Sequence, residues 1–212
     1  MGVLHTLKHS ILMFLNKEES FRTLKEEVSL KDSFFSHLIL FVPFALFYGL
    51  TFLLTFSING LDAAQMVSGI SFGLIGIILV YGMFGLIAGL FHLLFKLFGA
   101  KGNYGETLKG VFVFNIGFII YYLSFIILLS ILMMFLFTIP IMIAIVMIPL
   151  VLFIFIWAIF ISSKMFAKIH EFETWKAVLS QVLGFTVIII VEIIIVGILM
   201  TMYAGNILGF YL

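Results

Sequence analysis

The chain has 212 residues, of which 64% are hydrophobic and 10% charged, with a mean hydropathy of +1.34. That composition leaves too little polar surface for water on all sides, so it excludes a soluble globular protein and points to one integral membrane unit. A net charge of +1, with acids among the bases, excludes the one-sided basic face of a nucleic-acid binder, and the absence of cysteine excludes disulfides and thiolate metal sites.

The 11 basic residues fall in three clusters: Lys8, Lys17, Arg22, Lys25 and Lys31; Lys96, Lys101 and Lys109; Lys164, Lys168 and Lys176. Long uncharged stretches separate them. About 20 apolar residues cross a ~30 Å hydrocarbon layer, so the uncharged run from Gly110 to Ser163 is long enough for two passes and the total is five. Lys and Arg are retained on the cytoplasmic side, which predicts a cytoplasmic N-terminus and an exported C-terminus. The expected fold is all-α: a cytoplasmic segment over 1–32 and a five-span domain over 33–212. The expected spans cover about 34–57, 67–98, 108–137, 140–163 and 177–202. No cleavable signal peptide is apparent, so the first span is expected to serve as the targeting signal.

In chain order, residues 1–16 place Val3, Leu4, Leu7, Ile11, Phe14 and Leu15 at helical spacing, with His5, Lys8, His9 and Asn16 between them. This predicts an amphipathic helix, either lying in the cytoplasmic interface with its apolar face down or resting on other cytoplasmic segments. A solvated, charge-dense stretch follows, and Ser33 is the expected cap of the first span. The second span contains Gly69, Gly73, Gly76, Gly82, Gly85 and Gly89, a spacing that predicts tight helix packing on two faces or a break near Tyr81. Gly99 to Glu106 reads as a glycine-rich loop, with Thr107 opening the third span; the spacing of a phosphate loop is missing. Pro149 is expected to kink the fourth span.

Two sets of residues are candidates for a site. Glu192 lies in the last span among isoleucines and valines, about 20 Å above the cytoplasmic boundary at ~1.5 Å per residue. The same rise brings Tyr48, Tyr81, Tyr121 or Tyr122, and Ser124 to that depth. A carboxylate there costs roughly 2.5–3.5 kcal/mol, and no base lies at that level, so a neutral acid donating its proton within a polar girdle is expected. A hydrogen-bonded acid cementing the bundle, a proton or cation site, and a lipid-headgroup cavity are the three readings. The second set is at the cytoplasmic boundary: His92, Lys96, Tyr104 and His170, with Trp175 and Lys176 suited to anionic lipid. Two histidines without a third ligand are a poor metal signal, and no Ser-His-Asp order or intramembrane protease motif occurs. No metal, no cofactor and no enzymatic activity are expected. The expected partners are the bilayer with its anionic lipids, and another membrane protein or a second copy of this chain.

Three stretches together carry a family resemblance: Asn16-Lys17-Glu18-Glu19-Ser20-Phe21-Arg22; His92 with Lys96 and Gly99, then Gly102 and Tyr104; and His170 followed by Trp175-Lys176-Ala177. In this order they resemble the Yip family, the Ypt/Rab-interacting membrane proteins, and their prokaryotic relatives, of which this chain looks like a member. The chain departs from relatives at Phe114-Asn115, where Tyr-Ser and then a proline often stand, and it lacks their long cytoplasmic N-terminal extension. The resemblance implies a non-catalytic five-span protein of vesicle traffic or membrane organisation. It would lie in the plasma membrane of a prokaryote or an ER/Golgi-type membrane of a eukaryote. The runner-up expectation is a small transporter or channel built around Glu192; one intramembrane charge, an odd span count and no internal repeat weigh against it.

Overall fold

A computed structural model describes the backbone of residues 2–57, 63–136 and 140–209, and the side chains of residues 2–43, 76–121, 123–124, 149–198 and 200–201. Among the described residues there are seven helices and no strand: α1 (Val3–Phe14), α2 (Glu18–Glu26), α3 (Leu30–Ser57), α4 (Ala63–Leu97), α5 (Tyr104–Leu136), α6 (Pro140–His170) and α7 (Thr174–Gly209). The last five are apolar around their whole circumference, as helices surrounded by lipid or by other helices must be. They overlap the five stretches expected as spans, with ends displaced by up to seven residues. Within them, Gly76–Leu97, Pro149–His170 and Thr174–Ile198 are long and apolar enough to cross a membrane.

The helices begin and end on local chemistry that moves several expected boundaries. Ser29, not Ser33, caps α3: its Oγ accepts from Asp32 N at 3.0 Å, while the Ser33 hydroxyl donates back to Ser29 O. Asn103 caps α5 reciprocally, its Oδ1 accepting from Glu106 N at 3.0 Å and its own N–H donating to Glu106 Oε2 at 2.9 Å. That box starts α5 three residues before Thr107, despite Gly105 in its first turn. Three helices stop through a residue in left-handed conformation, Asn16 after α1, Gly99 after α4 and Glu171 after α6. In each case the next N–H reaches back over the turn, Ala100 to Phe95 O at 3.0 Å and Phe172 to Ala167 O at 3.1 Å.

At the centre of the bundle, α5 touches α1, α3, α4 and α6, while α7 leans on α4 and α6. Among the described residues the buried core sits toward the end where the lysines lie, around Met13, Phe14, Phe21, Leu24, Phe91, Phe95, Ile161 and Met165. Here α1 departs from an interfacial helix resting apolar face down. Its buried side is Thr6, His9, Ser10, Met13 and Phe14, against α3, α5 and α6, whereas Leu4 is 82% exposed and Leu15 is exposed. The approach is closest at Gly117 of α5, where a Cβ would stand 2.5 Å from the Phe14 ring and 2.6 Å from Ser10 O.

Among the described glycines of the second span, Gly85 and Gly89 are approached by Tyr104 of α5, which lies 3.5 and 4.0 Å from where a Cβ would stand. Gly76 and Gly82 meet nothing within 4 Å, and α4 passes Tyr81 without a break. Gly69 and Gly73 lie outside the described side chains. Pro149 remains within α6, which continues through it as one helix.

Candidate functional site

The three lysine clusters, far apart in sequence, meet at one end of the bundle. Lys25 of α2 pairs with Glu171 at 2.7 Å, and Lys101 approaches the same carboxylate at 3.9 Å. Lys164 and Lys168 of α6 share Glu18 of α2 at 3.2 and 3.6 Å. Lys109, only 7% exposed, sends its Nζ to Lys25 O at 3.1 Å and Val28 O at 3.2 Å. It therefore caps the carbonyl end of α2, a place where a cation is favoured. In this way α2 is fastened over the end of the bundle by its own Lys25, by Lys109 of α5 and by Lys164 and Lys168 of α6.

These pairs also set the charge state of the two shared acids. A hydrogen bond from Lys25, and then the charges of Lys25 and Lys101, hold the Glu171 carboxyl below the usual carboxylate range. The hydrogen bond from Lys164 does the same for Glu18, more than offsetting its slight burial. Both residues are exposed, so water screens these pairs and each adds little to stability.

The predicted set His92, Tyr104 and His170 is brought together, and its joint is a residue the sequence did not single out. Thr107 Oγ1 lies 3.1 Å from His92 Nδ1 and 3.0 Å from the Nε2 of fully buried His170, with Asn103 O at 3.4 Å. One hydroxyl can donate one proton and accept two, so Thr107 satisfies all three groups only if both imidazoles donate to it. His170 Nδ1 is buried without a hydrogen-bond partner, beside the Cα of Gly102; any Cβ at that position would overlap it. The Gly99–Asn103 loop is drawn onto this cluster by Lys101 N donating to His170 O at 2.9 Å. Tyr104 places its ring edge-on to His92 and donates to Gly85 O at 2.9 Å. Lys96 joins at the periphery, through Lys101 O at 3.3 Å. Among the described residues no third His, Cys, Asp or Glu completes a metal site.

Trp175 and Lys176 stand apart from this cluster, at the start of α7. Trp175 is 59% exposed with its indole N–H on Glu173, and Lys176 pairs with Glu173 at 3.4 Å and lies 5.6 Å from the Trp175 ring centre. Beside them an open groove of about 580 Å³ runs between α2 and the α6–α7 corner, with Lys25, Lys168, Glu171 and Lys176 on its walls and Phe98 and Phe172 among its lining.

The intramembrane set is differently arranged. Glu192 is exposed on α7 and makes no hydrogen bond or ion pair among the described residues. Ser124 donates to Ile120 O of its own helix. The side chains of Tyr48 and Tyr122 lie outside the described residues. Tyr81 goes to a different partner, His37 of α3, whose Nδ1 is 2.9 Å from its hydroxyl. The other ring nitrogen of His37 meets Asn115 Oδ1 at 3.2 Å. An amide oxygen only accepts, so Nε2 carries the hydrogen and Nδ1 takes the Tyr81 proton. This buried link joins α3, α4 and α5 inside a cage of Phe34, Phe41, Phe84 and Phe112. The sequence offered one signal for it: His37 and Asn115 are polar groups in otherwise apolar stretches, which must find each other in lipid.

Comparison with curated proteins and with solved structures gave no match. A family model did: the Yip1 domain matches residues 11–197, all but the two ends of the chain, and takes in both the α2 roof and the histidine cluster. The chain belongs to the Yip family of membrane proteins.

Proposed function

We propose that this is a non-catalytic multi-pass protein that organises membranes or serves as an adaptor in membrane traffic, using its lysine-bearing end as a cytoplasmic docking face. All five long helices cross the bilayer in this reading, with the N-terminus inside and the C-terminus exported. The observation that carries it is the fastening of α2. Lys25, Lys109, Lys164 and Lys168 position a short, charged helix over the bundle, beside an open groove edged by Lys176 and near exposed Trp175. A preformed face of mixed charge with an aromatic at its edge suits a protein surface or an anionic leaflet. The transport reading has less support, because Tyr81 is engaged by His37 and Glu192 has no partner among the described residues.

Two experiments test this. Single cysteines placed as Asn103→Cys and Glu171→Cys should resist an impermeant label added outside intact cells, whereas Asn206→Cys should react; outside labelling at Asn103 would overturn the orientation. Quantitative capture from native membranes in mild detergent should yield a stoichiometric partner that is lost with Trp175→Ala or Lys176→Glu. Capture that is indifferent to both variants, together with solute flux in proteoliposomes, would replace the adaptor by a transporter.

A further inference from the structure

A second feature lies on the other side of α6. Phe153, Trp157, Phe160, Lys164 and Lys168 follow one another at intervals of four, three, four and four residues. At ~100° per residue they fall within one narrow stripe of the helix. The rings form a continuous ladder: Phe153 stacks on Trp157 with centroids 6.4 Å apart, Trp157 meets Phe160 at 5.7 Å, and Lys164 Nζ lies 5.6 Å from the Phe160 ring. At its aromatic end the stripe opens into a cleft of about 200 Å³ between three helices, walled by Phe14 of α1, Phe118 and Tyr121 of α5, and Phe153, Trp157 and Ala158 of α6. The Trp157 indole N–H is already used, donating to Phe14 O at 3.1 Å, so this indole leaves the cleft's wall apolar.

We propose that this cleft and the two lysines beside it form a binding site for one anionic phospholipid, with an acyl chain in the cleft and the phosphate on Lys164 and Lys168. Three observations agree on this occupant. The first is length. From Phe153 to Lys168 the helix rises about 22 Å, and one leaflet with its headgroups is half of ~40–45 Å. The second is shape. A cleft of this size admits an alkyl chain, whereas a partner helix is about 10 Å across and needs a long groove. The third is charge. Lys164 and Lys168 have the single carboxylate of Glu18 between them, and the other contact of Lys164 is the neutral Asn16 Oδ1 at 2.7 Å. One positive charge remains in excess at the level where a phosphate would lie. An anionic headgroup neutralises it; a zwitterionic one brings a further cation. This site deepens the proposed docking face and shares its orientation, but needs no protein partner.

The test is native mass spectrometry of the purified full chain released from detergent, with dioleoyl phosphatidylglycerol, dioleoyl phosphatidylcholine or glycerol 3-phosphate added at equal concentration. One phosphatidylglycerol should remain bound at collision energies that strip phosphatidylcholine, and glycerol 3-phosphate should give no adduct. Phe153→Ala removes the rim of the cleft and should lower phosphatidylglycerol retention severalfold. Lys168→Gln should bring phosphatidylglycerol and phosphatidylcholine to equal retention. Both side chains are more than half exposed, so lipid-free melting temperatures should match wild type and show that each variant folds. Equal retention of the two lipids by wild type, or unchanged retention in both variants, overturns the site. An adduct with glycerol 3-phosphate would make it a plain phosphate site. Failure of wild type to capture any protein partner, with this lipid adduct intact, would reject the adaptor reading alone.

Discussion

The two ends of α7 obey different rules. In its first turns Ala177, Ser180 and Gln181 are buried, and Gln181 Oε1 accepts from the Ser162 hydroxyl of α6 at 2.7 Å. Farther along, Ile189, Ile190, Ile193, Ile194 and Val196 are exposed on every side of the same helix. In water such a surface would drive aggregation, but in lipid an exposed isoleucine loses nothing by being outside. What holds the helices in one arrangement is therefore the polar and close-packed joints, and among the described residues these lie toward the lysine-bearing end. Disturbing that end should cost stability, and equivalent changes in the lipid-facing half should not.

The largest difference is expected between two glycines. Gly117→Val puts a branched side chain into the Phe14 ring and the Ser10 carbonyl, and backbone cannot step aside as a flexible side chain can. The expected loss is about 3 kcal/mol, with α1 lifted from α5 and newly open to protease. Gly76→Ala, facing open space, should change stability by no more than about 0.5 kcal/mol or raise it slightly. Similar denaturation midpoints for the two variants would break the contrast. Next in size is Thr107→Val, which keeps the shape and leaves His92 Nδ1 and His170 Nε2 without their shared partner. About 1–3 kcal/mol should be lost in thermal melts, the cost of stranding buried polar groups. A melting temperature equal to wild type would show that the histidines are satisfied otherwise.

A smaller effect is expected from pH. His9, buried on α1, has its pKa held below the usual 6.5 by that burial, and next by His5 and Lys8, with Glu19 and Glu27 opposing. A histidine with a lowered folded value is stabilising in its neutral form. Its contribution is complete above 6.5 and is lost as pH falls below 6.5 toward the folded value. Wild type should lose melting temperature between pH 7.5 and 5.5, and His9→Gln should lose less. Parallel slopes would place the sensitivity elsewhere. Glu18 and Glu171 shift the other limit: their lowered values add stability above the unfolded carboxyl range that disappears only at more acidic pH, so the two effects separate on the pH axis.

Much of this division was legible in the sequence. The long helices follow from uncharged stretches of sufficient length, and the convergence of the lysines from their spacing between those stretches. His92, Tyr104 and His170 lie close together, as helix ends on one side of a bundle do whatever the helix order. The joints within the bundle were not legible. Whether Tyr81 meets His37 or Glu192 depends on how each helix is turned about its own axis, and ~100° per residue makes that unreadable when the helix is apolar all round. The orientation of α1 was hidden for a related reason. A hydrophobic face marks the buried side of a helix in water, but on α1 the side turned inward carries Thr6, His9 and Ser10 together with Met13 and Phe14. Thr107 reads as a helix start because the glycines around Asn103 and Glu106 mask their reciprocal cap in the sequence.

The smallest effect is expected at Glu192, and it bears most directly on the comparison of the two halves. A girdle of hydrogen bonds around this acid would make Glu192→Leu cost about 1–3 kcal/mol, through hydroxyls left without a partner. The structure instead exposes Glu192 on the lipid-facing part of α7, while Tyr81 and Ser124 bond to His37 and Ile120. Leucine there removes a polar group from an apolar setting and strands nothing among the described residues. Glu192→Leu should therefore melt at or above the wild-type temperature, and Glu192→Gln close to it. A loss of the girdle's size for Leu, with Gln at wild-type stability, would restore the hydrogen-bonded acid and place a polar joint in the half of the bundle that otherwise relies on lipid. If neither variant melts lower but one alters a membrane phenotype, the carboxylate serves an activity and not the fold, because a solitary acid at that depth is costly to insert and would have no structural reason to be there.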